Sequence, residues 1–169
     1  TGMIGTTKPL DVHRIHLLLG SRGGAPVAAR LDEIIREDHL RHGRVEEFRS
    51  ATYSRQDNDA ATLRVKRILN YFCSEDAREH LLDLLAAEFV GDEAAAARRL
   101  YMSERQLVVM RDNGMVIGSH TRSHPVLSKL SREAQTSEIG SSFATLEAIL
   151  GPLPGRPFCY PYGGFHSCL

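Results

Sequence analysis

Two histidines four residues apart, His120 and His124, lie in the run Gly118-Ser119-His120-Thr121-Arg122-Ser123-His124-Pro125. Imidazole is the commonest side-chain ligand for a divalent metal. The run follows Met115-Val116-Ile117, a short apolar stretch bounded by glycines, which reads as a buried parallel strand. A segment that coils after such a strand can turn both rings to one side. The carboxyl end of a parallel strand is also where ligands collect in α/β sheets. The competing reading is two polar loop histidines whose spacing arose by chance.

A second candidate is Arg156-Pro157-Phe158-Cys159-Tyr160-Pro161-Tyr162-Gly163-Gly164. Arg156 to Tyr160 reads as another strand. Pro161 stiffens its exit, and the two glycines permit a tight turn able to aim backbone N–H groups at a developing oxyanion. Read alone, it is as well explained by a strand, a turn and packed tyrosines. The remaining histidines read as structural. His13 and His16 are polar positions of a helix, His39 and His42 lie near a helix end, His80 is on a polar helix face and His166 is in a loop.

Several classes are excluded by composition. In 169 residues, 21 Lys and Arg balance 21 Asp and Glu, so there is no basic excess of the kind nucleic-acid binding requires. No apolar run approaches the roughly 18–20 residues of a membrane span. Cys73, Cys159 and Cys168 are odd in number and show no CxxC, which argues against a disulfide framework and a zinc finger. Cys73 reads as a small buried hydrophobe at a helix end. The chain starts at Thr1 without a basic-then-apolar leader, which makes the cytoplasm the default expectation.

The positioning elements fall into two parts. Residues 1 to 101 read as helices: Pro9 to Leu19, broken at Gly20 to Gly24; a second opened by Pro26 and carrying Val27, Leu31, Ile34 and Ile35 until His39 to Gly43; a third capped by Asp59; a fourth capped by Ser74, carrying Leu81, Leu84, Leu85 and Phe89 to a stop at Gly91; and a short Ala-rich one to about Tyr101. Arg44 to Asn58 reads as a connector. Residues 102 to 169 change to helix, strand, loop, helix, strand. Ser103 and Gln106 form a capping box, and Ser131 opens a helix with Ile139, Phe143, Leu146 and Ile149 on one face, ending at Gly151-Pro152. This is one repeat of an α/β sheet or barrel. The expected fold class is therefore α/β: part of a distorted (β/α) barrel with a long helical insertion, helix-rich overall. That reading requires a strand at 115 to 118.

Taken in order, His120-Thr121-Arg122-Ser123-His124-Pro125 and Phe158-Cys159-Tyr160-Pro161-Tyr162-Gly163-Gly164 resemble the second and third motifs of NodB-homology polysaccharide deacetylases, carbohydrate esterases of the family-4 type. The lead-in Arg111-Asp112-Asn113-Gly114-Met115-Val116-Ile117-Gly118-Ser119 extends the resemblance to about residues 103 to 166. The stretch Leu10-Asp11-Val12-His13-Arg14-Ile15-His16 resembles a segment of members associated with surface-polysaccharide gene clusters. The resemblance implies a divalent metal, zinc above all, that polarises an acetyl carbonyl and activates water for hydrolysis of an N-acetyl or O-acetyl group on a carbohydrate. It implies His120 and His124 as metal ligands, with Thr121 and Ser123 shaping their loop. It implies Pro161 and Tyr162 lining the substrate groove, Tyr162 taking a catalytic part through a backbone N–H that faces the oxyanion.

The chain also departs from the family. The first motif is an adjacent Asp-Asp pair supplying a base and a third ligand, and no such pair occurs here. Asp57-Asn58-Asp59 is nearest in form but lies in the helical region. Cys159 stands where many members have arginine, and Arg156 is too early to replace it. The late motif with the general-acid histidine lies beyond Leu169 or is absent, and His166 does not match its context. Without the base, general-base help often worth 10²–10⁴-fold is lost. A partial chain, inactive by itself, is the expectation, with exposed sheet edges that favour a homo-oligomer. Two rivals are a non-catalytic carbohydrate-binding pseudoenzyme and a helical interaction module with an accidental H-x-x-x-H.

Overall fold

Four side-chain caps set where helices begin. Asp59 Oδ1 accepts from the Thr62 N–H at 2.9 Å, and the hydroxyls of Ser74, Ser103 and Ser131 accept from Ala77, Gln106 and Ala134 at 3.2–3.3 Å. Each satisfies one of the N–H groups that a first helical turn leaves unpaired. At Ser103 the box is closed by Gln106, whose side-chain oxygen accepts from the Ser103 N–H at 2.8 Å. The hydrogen bonds from Thr62 also lower the pKa of the Asp59 carboxyl.

The computed structural model describes residues 2–40, 53 and 56–163. Its helices are α1 (Asp11–Arg22), α2 (Gly24–Ile34), α3 (Ala60–Arg67), α4 (Glu75–Phe89), α5 (Glu93–Leu100), α6 (Glu104–Asp112) and α7 (Arg132–Leu150). The last turn of α3 widens into a π-helix over Ile68–Phe72. No described helix is long and apolar enough to cross a membrane. The chain divides into two compact units, Asp11–Glu93 on one side and Thr1–Leu10 with Ala94–Leu169 on the other.

In the Asp11–Glu93 unit, α1 packs on α2 and α4, and α2 on α3. Among the described residues twelve buried ones form its core, including Ile15, Leu18, Val27, Leu31, Val65, Leu69, Leu81 and Leu85. Burying a Leu or Ile side chain contributes about 1.5–3 kcal/mol, so this core is large for so short a segment. Gly24 lets α2 meet α3 closely, because a Cβ there would overlap the Thr62 hydroxyl. Cys73 is buried at the end of the π turn, as expected.

Three details differ from the sequence expectation. Helix α1 runs through Gly20 and breaks only at Gly23. Helix α2 ends at Ile34, since Ile35 is already extended. Leu84 is 43% exposed and Leu82 takes its place inside. At about 100° per residue, 81, 82 and 85 share one face of α4 and 84 falls off it. His42 and most of the Arg44 to Asn58 connector lie outside the described residues.

The larger correction concerns strands. Among the described residues the predicted strands at 115–117 and 156–160 meet only as one parallel bridge, Ser119 to Phe158. Residues 115–118 form no strand, and Met115 and Val116 are 55% and 83% exposed. A parallel strand is stable when neighbours pair both edges and helices cover both faces. Here the one bridge lies past the apolar run, at Ser119; Ile117 packs on the Leu107, Leu146 and Leu150 cluster while Met115 and Val116 stay bare. The described residues are helix-rich and do not build a barrel.

Arg14 is the least expected member of the helical core. It is fully buried on α1. Its Nε and Nη2 donate to Glu93 at 2.6 and 2.9 Å, and Nη2 also donates to Asp83 at 2.6 Å. Burial works against the charge, but the bonds to Glu93 and Asp83 outweigh it and raise the guanidinium pKa. Nη1 has no hydrogen-bond partner among the described residues. Replacing Arg14 by Met leaves the mostly buried Glu93 carboxylate without its partner. We expect Arg14→Met to lower the unfolding free energy by about 3 kcal/mol, the low end for a broken buried pair because Asp83 reaches water. Arg14→Met/Glu93→Gln should recover much of that loss in urea denaturation.

Candidate functional site

The HTRSHP run becomes a loop pinned at both ends and in the middle. At its start, the Ser119 N–H donates to the Pro157 carbonyl and the Cys159 N–H donates to the Ser119 carbonyl, both at 2.9 Å. These two bonds form the parallel bridge and bring the two sequence motifs side by side. Gly118 is required for this approach: a Cβ there would stand 2.7 Å from the Pro157 carbonyl oxygen. The Ser142 hydroxyl of α7 gives its proton to the Ile139 carbonyl at 2.7 Å. The buried Ser119 hydroxyl therefore donates to Ser142.

Within the loop, the Thr121 hydroxyl is a two-way tie. It donates to the His120 carbonyl at 2.6 Å and accepts from the His124 N–H at 3.1 Å. Thr121 is fully buried. Glu138, one turn before Ser142 on α7, accepts from the Arg122 N–H at 3.0 Å, the Ser123 N–H at 2.9 Å and the Ser123 hydroxyl at 2.7 Å. Thr121 and His124 are in the left-handed region, with φ of 64° and 62°. For residues with a Cβ this costs about 1–2 kcal/mol each, and such strain collects at functional sites.

The result is a histidine pair. The rings of His120 and His124 are edge-to-face with centroids 4.7 Å apart. His120 Nδ1 lies 2.7 Å from the Cys159 carbonyl oxygen. A carbonyl only accepts, so Nδ1 carries the hydrogen and Nε2 keeps its lone pair. Metal-binding histidines are oriented by this kind of bond. Tyr162 completes a row: its ring is 4.8 Å from that of His124, edge-to-face. It sits in the turn Pro161–Gly163 with φ of 61°, so tyrosine itself is left-handed in a turn where glycine was expected to supply the freedom. Pro161 is buried and Tyr162 is 36% exposed. Gly164 and His166 lie outside the described residues.

Helix α7 supports the second motif as well. Phe143 packs near Phe158, with centroids 6.5 Å apart, and Phe158 meets Tyr160 edge-to-face at 5.1 Å. Arg156 lies 5.3 Å over the Phe143 ring and pairs with Glu147 at 2.7 Å. Arg156 is thus occupied on α7. Cys159 is exposed and contributes its backbone carbonyl.

The residues present fit a divalent cation in part. Two imidazoles are adjacent, and one is fixed with its Nε2 lone pair available. A catalytic zinc site usually has three protein ligands. Among the described residues no group of three His, Cys, Asp or Glu could hold a metal ion. Asp57 and Asp59 belong to the Asp11–Glu93 unit, where Asp59 is occupied as a helix cap. A second histidine pair, His39 and His80, has centroids 6.4 Å apart, but among the described residues it too gathers no third ligand. His13 is half-buried on α1, and its pKa is lowered, by burial first and by the charge of His16 second.

A family model for polysaccharide deacetylases matches residues 71–168, more than half of the chain. The chain belongs to the polysaccharide deacetylase family. The match holds both the histidine loop and the Pro161–Gly163 turn, and it begins well before the region around 103 where the motif resemblance starts. No curated protein and no solved structure gives a significant match. Membership of this family makes a deacetylase-like hydrolase acting on carbohydrate the broad functional class, and the family is generally metal-dependent.

Sequence reasoning missed Glu138 and Ser142. Glu138 lies beside the apolar face, where nothing local distinguishes it from a solvated residue; Ser142, three after Ile139 and four before Leu146, lies on that face and is fully buried, so a lone serine among apolar positions was the available signal. Two glycine substitutions test the geometry with opposite signs. Gly118→Ala should destabilise the protein by about 1–3 kcal/mol, as forced overpacking does. Gly140→Ala on α7, where a Cβ meets nothing within 4 Å, should be neutral or add about 0.5–1 kcal/mol. Chemical denaturation of both variants reads the difference.

Proposed function

We propose that the Ala94–Leu169 unit carries part of a metal-dependent carbohydrate deacetylase site, with His120 and His124 as two ligands of a divalent cation. The observation that carries this is the ring pair at 4.7 Å with His120 Nδ1 bound to the Cys159 carbonyl. When bound, such a cation, zinc by the nature of its nitrogen donors, supplies Lewis acidity to an acetyl carbonyl and lowers the pKa of water. Pro161 and Tyr162 line one side of the substrate groove, and the Tyr162 ring against His124 limits how a sugar approaches. The left-handed turn at Tyr162 aims its backbone at the reacting carbonyl, where an N–H stabilises negative charge.

The third ligand and the general base come from outside the described residues. The division into a helical part, residues 1–101, and a deacetylase part, residues 102–169, belongs to the same proposal. So does self-association through the bare Met115–Val116 segment. The absence of an adjacent Asp-Asp pair favours a second reading, a carbohydrate-binding pseudoenzyme using the same groove.

Zinc titration by calorimetry, beside His120→Ala/His124→Ala and with release of acetate from an acetylated oligosaccharide measured in parallel, separates these readings. Saturable zinc binding that disappears in the double variant is expected. Weak binding equal in both proteins would sink the metal site. Metal binding with no acetate release would favour the pseudoenzyme.

A further inference from the structure

We propose that Glu138 is a positioning residue for the histidine pair, holding the loop in the strained form that brings the two rings together. The proposal rests on the reading of His120 and His124 as cation ligands. Arg122 and Ser123 offer two successive N–H groups between the left-handed residues Thr121 and His124. Successive N–H groups in such a turn form a concavity that binds anions. The Glu138 carboxylate fills it, with Oε2 accepting both N–H groups and Oε1 accepting the Ser123 hydroxyl. Hydrogen bonds to a charged acceptor contribute about 1.5–3 kcal/mol each, less where water competes as it does here. Three of them are of the right size to offset two left-handed residues at about 1–2 kcal/mol each.

The placement is also geometrically specific. Ser142 is four residues on from Glu138, about 6 Å along the helix axis. It anchors the start of the loop at Ser119, while Glu138 anchors the middle. Helix α7 thereby sets the distance between the residue before His120 and the two residues before His124. Both Glu138 oxygens are engaged by the loop, so the carboxylate acts on the ligands through the backbone between them.

The test is zinc affinity of the full chain, parent against Glu138→Ala and Glu138→Gln, with His120→Ala/His124→Ala as baseline and circular dichroism as the check on folding. Glu138→Ala should weaken zinc binding by roughly 10–100-fold, the scale seen when supports of metal ligands are removed. Glu138→Gln, whose amide oxygen still accepts both N–H groups, should stay within a few-fold of the parent. Copper(II) as a second probe should show two imidazole nitrogens by electron paramagnetic resonance in the parent and one in Glu138→Ala, which a purely structural role would not produce. Should Glu138→Ala not fold, Ser123→Ala removes one of the three bonds and should weaken zinc about threefold. Parental affinity in the folded Glu138→Ala or Ser123→Ala variant would overturn the proposal, as would a Gln variant as impaired as the Ala variant. A parent that binds no zinc above baseline would instead overturn the metal-site reading, and this inference with it.

Discussion

Two backbone hydrogen bonds, Ser119 to Pro157 and Cys159 to Ser119, hold the candidate site together. Through them the histidine loop and the Pro-Tyr-Gly turn share one register, and the Cys159 carbonyl lands on His120 Nδ1. A single parallel bridge is a weak tie by itself, because parallel pairing gains its stability from neighbours and cover. The surrounding polar contacts make up for this. Ser142 accepts a hydrogen bond from Ser119, Thr121 ties His120 to His124, and Glu138 fills the turn between them. The buried cluster around Leu107, Leu146 and Leu150 is small, so the unit that carries the chemistry is specified more by hydrogen bonds than by apolar bulk.

The Asp11–Glu93 unit is built on the opposite principle. Twelve buried apolar residues and a buried arginine with two carboxylates give it a dense core and an internal electrostatic latch. Its charged members bind one another and gather no third metal-ligating group among the described residues. The family match nonetheless begins at residue 71, inside this unit, so family ancestry includes part of the helical region.

What was legible in the sequence follows from the range of each interaction. The caps at Asp59, Ser74, Ser103 and Ser131 act over three residues, and they marked helix starts correctly. The H-x-x-x-H pair and the Pro161-Tyr162 turn were also legible, because their local residue types are unusual. The strand at 115–117 was read from apolar residues alone, yet strand formation depends on partners that a local pattern does not supply. Nothing local marks Arg14 for burial, since its partners Asp83 and Glu93 are 69 and 79 positions away. Glu138 was invisible for the same reason: its role exists only once the loop returns to α7.

The tautomer of His120 tests the account most directly. Long-range nitrogen-15 correlation spectra of the histidine rings at neutral pH distinguish a hydrogen on Nδ1 from one on Nε2. The Cys159 carbonyl should hold His120 in the Nδ1–H form, with a coupling across that hydrogen bond to the carbonyl carbon, and Gly118→Ala should abolish both. A His120 ring in the Nε2–H form, or one averaging between tautomers as a solvated imidazole does, would show that the two motifs are not joined as described.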